Sequence, residues 1–292
     1  MVVFVACCLL CQGLVAQGAS DAATLRETYR SLIPELDHNQ FHRPLYLDSQ
    51  ESPSTVKGEI YAVLDYPFAT VNAVLNHPSR GPVNWCDVLS LHPNIQYCRA
   101  SSESSGNAIT VNISRKEVAE DLKNTYRVRF NYDVAATSRE YFQVKLHADN
   151  GPLGTHDYRI VLEAVALGDD RTFLHLTYAY SYGLIGRLAM KAYLATFDHG
   201  RVGFTNIASP SATQPEYVRG IRGLTERNTM RYYLAIDAYL GALSTSPDRQ
   251  LEQRLNNWFD ANEQYPRQLH EIDRQHYLQM KHEEYQRQLT QQ

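Results

Sequence analysis

At 292 residues, with 43% hydrophobic and 21% charged side chains, the chain can fill a real core, and disorder as a whole is excluded. Lys and Arg number 28 against 32 Asp and Glu, a formal charge of −4, so no basic excess exists to neutralise phosphates and no nucleic-acid partner is expected. Twenty tyrosines against nine phenylalanines is the unusual feature: tyrosine adds apolar area with a polar tip, which suits an amphiphile-lined cavity as well as a plain core.

Val2–Ala16 is almost unbroken apolar sequence, followed by Gln17, Gly18, Ala19 and Ser20. Small residues at Ala16 and Gly18 fit a signal-peptidase site, so 1–19 is expected to be a signal peptide, the mature chain starting near Ala19 or Ser20 in the periplasm or exterior. The run is shorter than the ~20 residues of a membrane-spanning helix. No Lys or Arg precedes it, which points to a misplaced start codon. Cys7, Cys8 and Cys11 leave a lipoprotein as the variant reading, although Leu10 is large for a lipobox. Cleavage leaves two cysteines, Cys86 and Cys98, in an oxidising compartment. A disulfide closing this short loop is the simplest reading, and two unrelated buried thiols the alternative.

Residues 21–36 read as a helix ended by Pro34, and 37–54 as a polar link with Pro44 and Pro53. These form an N-terminal helix and linker, 20–55. From Val56, VKGEIYAVLDY alternates like a strand; Pro67 then opens the helical stretch FATVNAVLNH, and a second helical piece surrounds Trp85–Leu91. After Ala108–Ser114 come four long alternating strands: Thr125–Ala136, Glu140–Asp149, 157–167 and 171–182. Tyr126, Val128, Phe130 and Tyr132 share one face of the first, opposite Arg127, Arg129, Asn131 and Asp133. The third puts Tyr158, Ile160 and Leu162 together, and the fourth aligns Leu174, Leu176, Tyr178, Tyr180 and Tyr182, with His175 and Thr177 on an exposed polar face. Gly151-Pro152 and Gly168-Asp169-Asp170 are turns. This meander must cover its apolar face. Helical periodicity in Leu184–Phe197 and Glu216–Leu243 supplies the cover, and Arg201–Ile207 between them can add another strand.

The order strand, helices, curved antiparallel sheet, long closing helix resembles the helix-grip fold of the START (StAR-related lipid-transfer) superfamily. The matching segments are GEIYAVLDYPFATVNAVLNHPSR (58–80), NWCDVLSLHPNIQYC (84–98) and Glu216–Leu243, so the resemblance covers 56–243. The chain also resembles uncharacterised secreted proteobacterial proteins through WFDANEQYPRQLHE (258–271). The resemblance implies an α+β fold with a cavity between curved sheet and long helix, holding a lipid or another apolar small molecule; some members of the superfamily are cyclases or dehydratases. On the face that the helix must cover, the candidate ligand-binding residues are Tyr126, Val128, Phe130, Tyr132, Phe142, Leu146, Tyr158, Leu162, Tyr178 and Tyr180 from the strands, with Tyr232, Ile236 and Tyr239 from the helix. The expected function is a non-catalytic carrier or sensor. The alternatives are a cyclase- or dehydratase-like enzyme, or a structural adaptor of the cell envelope. An enzyme would need a charged pair on the cavity face; the apolar strand faces carry none, and Asp237 is the nearest candidate for a general base.

After Pro247 the composition turns to Gln, Glu, Arg and His. Leu251, Leu255, Trp258 and Asn262 form one stripe, and Leu269, Ile272, His276 and Met280 another, so 244–292 is expected to be a helical appendage, separable from the ligand site, that packs on the domain or meets an envelope partner. His270, His276 and His282 are six apart, so successive ones rotate by about 240° and cannot ligate one ion. Asp37-His38 and His42 have no third convergent ligand. No nucleotide-binding or hydrolase motif stands in a suitable context, so neither metal nor cofactor is expected. The sequence leaves the oligomeric state open.

Overall fold

The computed structural model describes residues 21–103, 106–115, 120–196, 199–209 and 211–290; the apolar N-terminal run and its expected cleavage site lie outside these. Helical residues 21–31 (α1) and Ile33–Asp37 (α2) lead to an eight-stranded sheet. The strands are β1 (Leu45–Glu51), β2 (Thr55–Leu64), β3 (Ile95–Glu103), β4 (Gly106–Ile113), β5 (Tyr126–Thr137), β6 (Tyr141–Asn150), β7 (Thr155–Leu167) and β8 (Arg171–Tyr182). Their order is β1-β2-β8-β7-β6-β5-β4-β3, and every ladder between them is antiparallel. Helices α3 (Phe68–Leu75) and α4 (Gly81–Leu89) intervene between β2 and β3; α5 (Leu184–Thr196) and the long α6 (Gly220–Gly241) follow β8. The chain ends in α7 (Gln250–Glu263), α8 (Pro266–Leu269) and α9 (Arg274–Thr290). This order, with the sheet gripping α6, is the START-like helix grip expected from the sequence.

The period-two pattern decides the sheet's inner face. Val56, Ile60 and Ala62 of β2, Val128, Phe130 and Tyr132 of β5, and Leu174, Leu176, Tyr178 and Tyr180 of β8 are all buried in one continuous core. α6 is buried on nearly every side because strands β1, β2 and β8 lie beneath it and α4, α5, α7 and α8 pack around it. Gly58 sets the approach of β2 to α6: a Cβ there would lie 2.4 Å from Thr229 Oγ1.

Cys86 of α4 and Cys98 of β3 are disulfide-bonded, their Cα atoms 5.4 Å apart. The bond ties the helical insert to the edge strand on which it lies.

Four expectations are corrected. Part of the polar link 37–54 is the edge strand β1, whose inward position Ser49 is polar because it donates a short hydrogen bond to the buried Glu226 carboxylate. Arg201–Ile207 does not join the sheet. Its amides turn to α6 instead: Phe204 N and Thr205 N donate to Glu226 Oε2 at 2.5 and 2.9 Å, and only the bridge Asn206–Tyr217 is strand-like among its described residues. The outer sheet face around His175 is half-buried rather than solvated, since α1 and α2 cover a second apolar cluster with Leu25, Leu36, Val63, Tyr141, Val165 and Phe173. There His175 bridges Glu163 (3.0 Å) and Glu59 (3.1 Å) and stacks on Tyr61 at 4.2 Å. Finally, the C-terminal helices are no appendage: Leu255, Trp258, Phe259, Tyr265, Leu269, Tyr277 and Met280 belong to the same core as the grip.

Candidate functional site: a tyrosine-lined cavity with a guanidinium end

α6 rests on β1 and β2, where Ser49 meets Glu226 and Gly58 lies against Thr225 and Thr229. Its other flank, with Leu224, Asn228, Arg231 and Tyr232, borders a cavity of about 130 Å³. Its apolar wall comes from Val111 and Ile113 of β4, Tyr126, Val128 and Phe130 of β5, Ile160 of β7, and Leu89 and Ile95 at the ends of α4 and β3. Tyr158, Tyr178, Tyr180 and Tyr232 form its aromatic side; Tyr158 and Tyr180 stack at 4.9 Å, and Tyr178 meets Tyr232 at 5.3 Å. Met190 and Tyr193 of α5 close one edge beside Pro152 and Leu153. Gly186 permits this seating, because a Cβ there would lie 2.8 Å from the Gly154 carbonyl oxygen.

Seven of the thirteen expected residues thus line the cavity: Tyr126, Val128, Phe130, Tyr158, Tyr178, Tyr180 and Tyr232. The other six sit elsewhere. Phe142, Leu146, Leu162 and Ile236 are fully buried in the core outside that lining. The Tyr132 hydroxyl donates to Leu75 O at 3.1 Å, and Tyr239 lies under the Arg254 guanidinium at 4.1 Å. The tyrosine hydroxyls also have protein partners: Tyr158 with Thr155 Oγ1 at 2.9 Å and Tyr180 with Thr225 Oγ1 at 3.2 Å. Burial pushes Tyr158 up to about 12 and Tyr178 and Tyr180 well above the ordinary value, so all stay protonated near neutrality.

Sequence reasoning did not foresee the polar end. Arg231 of α6, 2% exposed, forms a 2.6 Å ion pair with Glu271, which also accepts a short hydrogen bond from Arg201. Arg231 Nη1 reaches Asn228 Oδ1 at 3.4 Å, and Asn228 Oδ1 faces His92 Nε2 at 3.4 Å. Arg115, over the Tyr126 ring at 5.0 Å, is a third cationic lining residue. The charged pair therefore comes from α6 and the α8–α9 loop, not from the strand faces. Asp237 is not part of it: it pairs with Arg43 at 3.3 Å, outside the lining.

His92 accepts a hydrogen bond at Nδ1 from Asn94 N (3.2 Å), so Nε2 carries the proton and donates to Asn228. Burial, reinforced by the Arg231 charge, pushes its pKa down to about 3. The unfolded chain binds this proton near 6.5 and the folded one refuses it, so stability falls as pH drops from about 6.5 towards 3. His92→Gln should remove up to about 1.4 kcal/mol per pH unit of that slope. Urea unfolding of both proteins between pH 6.5 and 5 checks this; parallel pH profiles would place the ring in water.

Among the described residues, no group of three or more His, Cys, Asp or Glu is placed to hold a metal ion, and no helix is long and apolar enough to cross a membrane. His270, His276 and His282 meet three different carboxylates, Glu263, Asp273 and Glu252.

No family model and no curated protein matches the sequence. Solved structures similar to it include a norcoclaurine synthase point mutant of Thalictrum flavum, 13% identical over 51% of this chain and 85% of that one, with a TM-score of 0.33. A START superfamily protein from Mycobacterium smegmatis is 14% identical over 49% and 92%, with a TM-score of 0.31. Ara h 8.0201 is 12% identical over 68% and 99%, with a TM-score of 0.35. All three TM-scores are below 0.5 and say nothing about the site. The fold is a START-like helix grip. Its own strand order and the placement of α6 carry that assignment.

Proposed function

We propose that this chain is an exported, non-catalytic carrier or sensor that binds an apolar molecule with an anionic end in the cavity beside α6. The observation that carries the reading is the pairing of an aliphatic and tyrosine wall with three guanidinium groups, Arg115, Arg201 and Arg231, against one carboxylate, Glu271. Apolar area supplies the affinity, and the excess cationic charge selects the head group. A cavity of about 150 Å³ holds a benzene ring, so the volume of about 130 Å³ suits an aromatic ring or a short chain. A whole lipid, or a probe of several rings such as anilinonaphthalene sulfonate, requires the edge at α5 to open. His92 offers no general base to this cavity near neutrality, because burial and the Arg231 charge hold its pKa down to about 3.

Protein purified from its native compartment should release one acidic amphiphile in near-stoichiometric amount on organic extraction, read by mass spectrometry. Extracts indistinguishable from those of Val128→Trp, which fills the cavity, would oppose the reading.

A further inference from the structure

Helix α5 has two faces with different company. At 100° per residue, Gly186, Met190 and Tyr193 point together, and Met190 and Tyr193 line the cavity. Leu184, Ile185 and Leu188 occupy the roughly opposite arc and are 75%, 82% and 59% exposed. Large aliphatics that exposed are costly in water, and three on one helical arc form a patch rather than scattered singles. Leu184–Thr196 carries Arg187 and Lys191 and no Asp or Glu, so the charge that the helix itself sets beside the patch is positive only. A short helix with an aliphatic face, basic flanks and no acid has the character of an interfacial helix lying on anionic lipid.

We propose that the outer face of α5 docks on an anionic lipid surface and so holds the cavity edge formed by Met190 and Tyr193 against the bilayer. Charge and position argue for this occupant. The basic edge complements anionic headgroups, and the same helix separates the cavity from the patch, so moving it opens the cavity directly towards an apolar phase. The transfer of a ligand by this route rests on the cavity reading above; the docking does not.

The test is sedimentation of the full chain with vesicles of phosphatidylcholine alone or mixed 3:1 with phosphatidylglycerol. The wild type should bind the mixed vesicles, weaken as salt is raised, and bind phosphatidylcholine at least tenfold less. Leu184→Ser/Ile185→Ser/Leu188→Ser should lose at least tenfold in vesicle binding while keeping the wild-type thermal midpoint and the wild-type affinity for anilinonaphthalene sulfonate, since none of the three lines the cavity. Lys191→Glu, which leaves the aliphatics in place, should also weaken binding to mixed vesicles. Equal vesicle binding by wild type and triple variant would overturn the proposal, as would no binding by the wild type. A wild-type dimer that the triple substitution converts to monomer would do the same, by assigning the patch to a second copy. Vesicle binding without sulfonate binding would uphold the docking and refute the cavity reading alone.

Discussion

Truncation after Ser246 is expected to abolish the cooperative unfolding transition. Helices α7, α8 and α9 and the turns between them bury Leu255, Trp258, Phe259, Tyr265, Leu269, Tyr277 and Met280 in the main core. Seven such side chains at ~2 kcal/mol each contribute on the order of 14 kcal/mol, comparable to the whole net stability of a typical domain. Polar contacts raise the cost. Trp258 Nε1 donates to Arg231 O at 3.3 Å, Tyr277 Oη to Leu91 O at 2.9 Å, and Lys281 Nζ to His92 O at 2.7 Å and Ile95 O at 3.0 Å. Removing them leaves those carbonyls and the back of α6 without cover. Near-ultraviolet circular dichroism during a urea titration should give a broad, sloping signal for the truncated chain. A sigmoidal transition near the full-length midpoint would restore the separable appendage.

The second large effect belongs to Glu271. Glu271→Gln removes the carboxylate that pairs with the buried Arg231 and with Arg201. Breaking one partner of a buried pair costs about 3–5 kcal/mol, which in a chain of this size lowers the thermal midpoint by roughly 10 °C. Ligand affinity should move the opposite way, because the cavity then holds three guanidinium groups and no carboxylate. Calorimetry should therefore record a lower midpoint together with tighter binding of anilinonaphthalene sulfonate. Loss of stability with weaker sulfonate binding would mean that the anion does not approach this end.

Sheet, long helix and disulfide were legible because each rests on local pattern. Period-two alternation in 125–182 placed Tyr126, Val128, Phe130, Tyr158, Tyr178 and Tyr180 on one face, and the lining of the cavity includes all six. Alternation does not say where along that face the helix stands off. Leu146, Leu162 and Ile236 have the same sequence character as Val128 and Ile160, yet they are fully buried in the core away from the cavity lining. Strand β1 escaped notice because its inward Ser49 answers a carboxylate on a helix 177 positions away. The polar end was hidden for the same reason. Arg201, Arg231 and Glu271 come from a strap, a helix and a loop between helices, and no spacing rule relates them. One signal was available: Asn228 and Arg231 belong to a polar run with Thr225, Glu226, Arg227 and Thr229 on a helix that the sheet must enclose, and a buried polar group needs a partner.

The gap beside α6 should hold an apolar molecule with an anionic end. Titration of anilinonaphthalene sulfonate, followed by fluorescence, into wild type and Val128→Trp tests it most directly. The wild type should bind one equivalent with a blue-shifted emission maximum. The tryptophan variant, folded and with its cavity filled, should lose at least tenfold in affinity. Equal binding by the two proteins would place the probe elsewhere and leave the gap beside α6 as ordinary core packing.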